Sequence, residues 1–196
     1  MNNLDTRIKA IKAITHDPRF IAARVKAENV ARTLLENKAG KFTETDIELF
    51  CKLCNNEFVP KNGEWRKQET NTRFGLSFKG QNVNLIKNCL DSFNQGVNAL
   101  WNNSTWLPVL NKFWNDDVKG AGTGMPTMIL YLKDPSLFNI WNKNLEVISN
   151  ELWEIPHSTN RWQNYSSFNN VINENLRKRY SLLPYEIDYV IFSLGK

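Results

Sequence analysis

Apolar residues recur every three to four positions along most of this chain, the spacing typical of helices that bury one face. We predict about nine helices from this pattern, the longest over residues 81–102. The period is lost between residues 59 and 80, where residues 73–78 alternate like a short strand or extended loop with no evident partner strand. The sequence therefore predicts an all-α, compact multi-helix domain with one extended loop or short strand near residues 59–80.

The first helix with clear boundary signals begins at Asp17-Pro18, an N-cap followed by proline at the first helical position. Its apolar stripe is predicted to contain Phe20, Ala23, Ala27, Val30 and Leu34. The opposite side carries Arg24, Glu28 and Arg32 at four-residue spacing, which predicts an exposed face with paired charges.

A C-x-x-C pair, Cys51 and Cys54, falls in the middle of a helix that Thr43 and Asp46 are predicted to cap. Zinc needs four ligands, and the remaining candidates are one further cysteine and two histidines, Cys89, His16 and His157. A redox pair normally lies at a helix N-terminus. We therefore expect buried structural thiols and predict no metal site, no cofactor and no catalytic residue.

Length and composition favour one ordinary globular domain over residues 1–196, with basic N-terminal helices over 1–58 and a core over 73–194. The chain shows no leader-like N-terminus and no apolar run that would span a bilayer. Three cysteines, an odd number, argue against a disulfide framework. We expect a cytoplasmic protein.

The formal net charge of +5 is concentrated near the N-terminus. Residues 1–41 carry nine Lys/Arg against four Asp/Glu, and the rest of the chain carries sixteen of each. Two readings fit this distribution: a surface that faces a polyanion, or an ordinary solvated helix face.

A glycine cluster, Lys119-Gly120-Ala121-Gly122-Thr123-Gly124, separates two predicted helices; we call residues 119–124 the glycine corner. The backbone amides of Gly120, Gly122 and Thr123, with the second helix's dipole and the charge of Lys119, form a predicted phosphate-binding site. The alternative is a plain turn between two helices, with the glycines as C-cap and turn residues.

A second candidate is the stretch of residues 61–87, where aromatic residues alternate with six Lys/Arg against two Glu. Cations can neutralise phosphates while aromatic rings stack on bases. The residues predicted to contact nucleic acid here are Trp65, Arg66, Lys67, Arg73 and Lys79. In the alternative reading, Phe74 and Phe78 fill the core and the cations are solvated.

The run from Gly120 to Asn142, with Arg73-Phe74-Gly75 before it and Leu183-Pro184-x-Glu186 after it, resembles helical domains associated with McrB-type restriction NTPases. The resemblance covers about residues 73–194. It implies a DNA-recognition role beside a motor or nuclease carried by another chain or domain.

The same core resembles, more distantly, the helix-hairpin-helix unit of base-excision DNA glycosylases. That family places a catalytic aspartate shortly after the Pro-x-x-Phe segment, where this chain has Asn142. An asparagine supplies no negative charge, and Lys133 is a poor candidate for a Schiff-base lysine. The resemblance therefore implies the fold without the chemistry.

These observations together predict a non-enzymatic domain that binds duplex DNA within a restriction or anti-phage system, with a separate NTPase or nuclease subunit as partner. The alternatives are a diverged glycosylase- or lyase-like enzyme and a protein-interaction adaptor.

Overall fold

The computed structural model describes residues 3–54, 58–61, 64–67, 80–113 and 118–195, with the backbone alone at 58–61, 64–67 and 112. The described α-helices are α1 Asn3–Thr15, α2 Pro18–Lys38, α3 Glu44–Cys54, α4 Gly80–Lys87, α5 Leu90–Asn102, α6 Leu107–Lys112, α7 Gly124–Lys133, α8 Lys143–Trp153, α9 Arg161–Ile172 and α10 Ile187–Leu194. A π-helical turn, Asn173–Lys178, continues α9, and a 3-10 turn, Pro184–Glu186, precedes α10. The predicted all-α fold is confirmed.

The described residues also contain one antiparallel hairpin, formed by β1 Phe58–Lys61 and β2 Glu64–Lys67. The hairpin lies at the start of the stretch near residues 59–80 for which the sequence predicts one extended loop or short strand. Lys61 pairs with Glu64, and the intervening dipeptide in the sequence is Asn-Gly, the pair most typical of two-residue hairpin loops. The predicted alternation at 73–78 lies outside the described residues.

The long helix predicted over residues 81–102 is two helices, α4 and α5. They are separated at Asn88 and Cys89. The Cys89 N–H donates to the Ile86 carbonyl, three residues back, and not to the carbonyl four residues back as in an α-helix. Buried apolar residues lie on both sides of this break, Ile86 in α4 and Phe93, Val97 and Leu100 in α5.

The predicted burial of α2 is confirmed for Phe20 and Ala27 and wrong for other positions. Arg24 and Glu28 lie in the core, while Val30 and Leu34 are only half-buried. The physical reason is charge compensation: Arg24 Nε donates to Glu28 Oε1 at 2.7 Å, and its terminal nitrogens donate to the Asp188 carboxylate of α10. Tyr131 of α7 donates its hydroxyl to the same Glu28 oxygen at 2.6 Å.

The core surrounds α7, which is buried from Gly124 to Leu132. Each of the ten described α-helices contributes at least one apolar side chain to a single connected cluster, among them Ile8, Ala27, Ile47, Ile86, Phe93, Leu110, Met128, Leu145, Tyr165 and Val190. α7 therefore links the N-terminal and C-terminal parts of the fold through its side chains.

The segment between α7 and α8 is held by polar side chains spaced four and eight residues apart along α9 and the π-helical turn. Tyr165 donates to the Asn139 carbonyl at 3.1 Å, and Asn169 donates to the Leu137 carbonyl at 2.7 Å. Arg177 donates to the Pro135 carbonyl at 2.8 Å. These bonds fix the path of the chain into α8.

Among the described residues, no helix combines the length and the apolar character needed to cross a lipid bilayer.

Candidate nucleic-acid interface

The glycine corner forms a turn immediately before α7. Gly120 and Gly122 both have positive φ, at 85° and 57°, a conformation that glycine adopts without a steric penalty. Lys119 and Gly122 are exposed, Gly120 and Thr123 are half-buried, and Gly124 is buried as the first residue of α7. The corner is therefore open to solvent along one side.

The other side of the corner contacts α4. A Cβ atom on Gly120 would lie 2.5 Å from the Asn82 carbonyl oxygen and 2.9 Å from Leu85 Cβ, so only glycine fits there. Asn82 Nδ2 also approaches the Gly120 carbonyl oxygen at 3.4 Å. A Cβ on Gly122, in contrast, would meet nothing within 4 Å.

The corner contacts Asn82 and Leu85 of α4, and its last residue, Gly124, is the first residue of α7. Neither helix has an acidic residue in its first turn. The N-cap of α7, Thr123, makes no side-chain capping bond, and within the described residues the amides of Gly122 and Thr123 donate no backbone hydrogen bond outside the regular elements. Free N–H groups and aligned helix dipoles favour an anion at such a position.

Thr127 fixes the start of α7 from inside the protein. Its hydroxyl oxygen accepts the Trp141 N–H at 3.0 Å and lies 3.0 Å from both the Thr123 and the Trp141 carbonyl oxygens, so the hydroxyl proton can be donated to either. Because Thr127 is fully buried, this bridge ties the first turn of α7 to the segment before α8.

Lys119 is the only cationic residue in the sequence of the glycine corner. The lysine is exposed and makes no ion pair with a carboxylate in the part of the chain that the structure describes. Its charge is therefore available to a ligand that reaches the amides beside it.

The structure brings together four of the predicted site residues: Lys119, Gly120, Gly122 and Thr123. Three others lie in β2, where Trp65 is paired with Pro60, Arg66 with Val59 and Lys67 with Phe58. Arg73 and Lys79 lie outside the described residues, although Lys79 directly precedes the first residue of α4.

Most of the nine Lys and Arg side chains in residues 1–41 make hydrogen bonds or ion pairs within the protein. Arg7, Lys12 and Arg32 donate to main-chain carbonyls of Leu194, Tyr180 and Leu132, respectively. Arg19, Arg24 and Lys38 pair with carboxylates. The remaining three, Lys9, Lys26 and Lys41, are exposed and make no ion pair among the described residues. The net charge of this region thus overstates the number of cations free to meet a polyanion.

The C-x-x-C pair consists of buried thiols, as predicted. Burial raises the pKa of Cys51 to about 12 and raises the pKa of Cys54 well above its ordinary value. Thiols that stay protonated are poor nucleophiles and poor metal ligands. Among the described residues, no group of three or more His, Cys, Asp or Glu side chains is placed to hold a metal ion.

Asn142 and Lys133, which occupy positions of interest for glycosylase chemistry, both make structural contacts. Asn142 is the N-cap of α8, with Oδ1 accepting from the amides of Asn144 and Leu145 at 2.9 and 3.0 Å. Lys133 donates to the carbonyls of Leu100 and Asn103, at the end of α5, at 2.9 and 2.6 Å. Burial lowers the pKa of Lys133.

Asn82 belongs to the motif that resembles McrB-type domains, but its contact with the glycine corner was not predicted. Its contact with Gly120 joins residues 38 positions apart, and a polar residue in the first turn of a short helix carries no signal that distinguishes such a contact from simple exposure.

In comparisons with known proteins, the chain matches no family model, no curated protein and no solved structure. The resemblances to restriction-associated and glycosylase-like helical domains accordingly depend on the sequence motifs alone.

Proposed function

We propose that this chain is a non-enzymatic, cytoplasmic domain that binds duplex DNA through the glycine corner. One observation supports this above the others: the N-terminus of α7, which has no side-chain cap and no acidic residue in its first turn, lies beside the exposed Lys119. Backbone N–H groups, helix dipoles and an unpaired lysine are what phosphate oxygens need.

The biological setting that we propose is the recognition part of a restriction or anti-phage system. Its motor or nuclease, an NTPase or nuclease subunit, belongs to a separate chain or domain in this proposal. The support is the resemblance of the corner, the Pro-x-x-Phe segment and the C-terminal motifs to the helical domains of McrB-type systems.

The direct test is a titration of a fluorescent 20-base-pair duplex at several salt concentrations. Each neutralised phosphate contributes about −0.9 to the slope of log K against log salt. We expect a clearly negative slope, and Lys119→Glu should weaken binding about tenfold and make the slope shallower by about one. A slope near zero for the wild-type protein would contradict the proposal.

Lys143→Glu is the matched control, since Lys143 is also an exposed lysine and lies at the start of α8. It makes the same change in net charge, so a comparable loss of affinity would show that overall charge, and not the corner, governs binding.

Methylated and damaged duplexes belong in the same titration. Release of a free base from them would replace this proposal with a glycosylase-like enzyme, and binding no tighter than that of any mildly basic protein would favour an adaptor.

A further inference from the structure

The side of α2 that faces solvent is largely apolar, the reverse of the usual pattern in a surface helix. Two of the charged residues of this helix, Arg24 and Glu28, lie in the core. Exposed or half-buried apolar residues occupy the opposite side instead, and contiguous apolar residues at a surface indicate an interaction site. These residues, which we call the outer face of α2 together with the polar residues between them, are Pro18, Ile21, Ala22, Val25, Val30 and Leu34.

The charge of the outer face is positive. Among the described residues, the charged side chains that line it are both lysines, Lys26 and Lys38. Lys26 is exposed and makes no ion pair within the part of the chain that the structure describes, whereas Lys38 has Asp46 as its partner at 3.5 Å. Glu36, the exposed carboxylate of α2, lies outside this lining. The outer face therefore favours a partner that carries carboxylates beside an apolar surface.

The size of the outer face fits one helix better than a folded domain. α2 has 21 residues, so it is about 30 Å long and, at about 10 Å across, offers about 300 Å². A second copy of this chain would normally need about 800 Å² on each side. In a symmetric pair it would also bring the same lysines and no carboxylate to meet them. A single helix needs only the length and width of α2.

We propose that the outer face of α2 is the docking site for one amphipathic helix of another protein, in which Asp or Glu residues flank the apolar stripe. Apolar side chains of that helix pack on Val25 and its apolar neighbours, and a carboxylate pairs with Lys26. The proposal is independent of DNA binding, because the outer face shares no residue with the glycine corner.

The experiment is a selection from a displayed library of helical peptides about 20 residues long, the length of α2. Each peptide has an apolar stripe, and the positions that flank the stripe vary among Asp, Lys and Gln. Peptides are selected on the wild-type protein and counter-selected on Val25→Asp. We expect the selected peptides to carry more Asp than Lys beside the stripe.

Fluorescence anisotropy then measures the affinity of a selected peptide for each variant, after melting curves have shown that the variant is folded. Val25→Asp should bind at least about tenfold more weakly than wild type, because docking would bury an unpaired carboxylate. Val147→Asp is the matched control and should bind as wild type does, since Val147 of α8 is 46% exposed and Val25 is 37% exposed.

Lys26→Glu tests the charge separately and leaves the apolar side chains in place. It should weaken binding about fivefold, and replacing one Asp of the peptide by Lys should restore the affinity. Lys143→Glu, at an exposed lysine of α8, should have no effect. If no such replacement restores the affinity, the proposed pairing with Lys26 is wrong.

Several results would overturn the docking site itself. One is a set of selected peptides that bind Val25→Asp as tightly as wild type, or that show no excess of Asp over Lys. A wild-type dimer in sedimentation velocity that Val25→Asp dissociates would make a second copy the occupant. Binding to phosphatidylserine vesicles that Val25→Asp abolishes would make it a lipid surface. None of these measurements contains DNA, so the docking site and the proposed function can fail separately.

Discussion

Arg24 of α2 and Asp188 of α10 form a two-point ion pair in the core, with distances of 3.1 Å from Nη1 to Oδ2 and 2.9 Å from Nη2 to Oδ1. Both residues are almost completely buried. Burial alone would lower the pKa of Arg24, but the charges of Asp188 and Glu28 more than offset this effect and raise it above its ordinary value. The guanidinium therefore stays charged inside the protein.

We predict that Arg24→Met destabilises the fold by about 3–5 kcal/mol, because two buried carboxylates lose their counter-ion. Urea denaturation followed by circular dichroism measures the change. Arg24→Met/Asp188→Leu should recover part of the loss, since an apolar pair leaves one fewer unpaired charge in the core.

Arg19→Ala serves as the control for this experiment, because Arg19 pairs with Asp17 at the surface and is 85% exposed. Its removal should change stability by no more than about 0.5 kcal/mol. An Arg24→Met variant that is as stable as Arg19→Ala would show that the buried pair contributes nothing.

The capping box of α3 predicts a dependence of stability on pH. Burial acts to raise the pKa of Asp46, but bonds from the Thr43 N–H at 2.9 Å and hydroxyl at 2.8 Å, with the Lys38 charge, hold it below the ordinary value of 3.8. A carboxylate with a lowered pKa in the folded state contributes stability above its unfolded pKa and loses it as the pH falls through the folded value.

Asp46→Asn should therefore cost about 1 kcal/mol at pH 7 and remove part of the fall in stability of wild type below about pH 4. Denaturation midpoints at intervals from pH 7 to pH 2 check this. Asp91→Asn, at an exposed carboxylate in the first turn of α5, is the comparison. Parallel pH curves for wild type and Asp46→Asn would contradict the assignment.

The three cysteines should differ in reactivity. Cys89 is half-buried, whereas Cys51 and Cys54 are buried. Burial raises the pKa of all three thiols, so at pH 7.5 none is extensively ionised. With iodoacetamide, we expect slow labelling of Cys89 in the native protein and labelling of the other two only in urea, as read by mass spectrometry. Native labelling of Cys51 ahead of Cys89 would refute the structural role of the pair.

Gly96 lies where α5 packs against Phe113. A Cβ atom at this position would be 2.2 Å from Phe113 Cε2, in a ring that is itself buried. Gly96→Ala should therefore destabilise the fold by about 1–3 kcal/mol through overpacking. Gly80→Ala, where a Cβ meets nothing within 4 Å, is the control and should be neutral or slightly stabilising. Equal melting temperatures for the two variants would contradict this packing.

Features that depend on neighbours in the chain were predictable from the sequence. The Thr43–Asp46 capping box and the start of α7 beyond the glycines involve residues within a few positions of each other, and both are confirmed. The Asn-Gly hairpin signal was equally local and was overlooked.

Features that depend on distant residues were not predictable. Arg24 looked exposed because its partner Asp188 is 164 positions away, and the expected exposed face of α2 is consequently a buried one. The glycines of the corner could be found from composition and spacing, but the contact between Gly120 and Asn82 joins residues 38 positions apart, and nothing local in the sequence indicates it.

The burial of α7 from Gly124 to Leu132 limits which features of a ligand this helix can distinguish. Because its side chains from Gly124 to Leu132 face the interior, a ligand at its N-terminus meets main-chain groups, which are alike in every protein and carry no information about base identity. Contact through this helix would be indifferent to nucleotide sequence. Under the proposed function, any preference for particular bases or base modifications has to be encoded by residues outside α7.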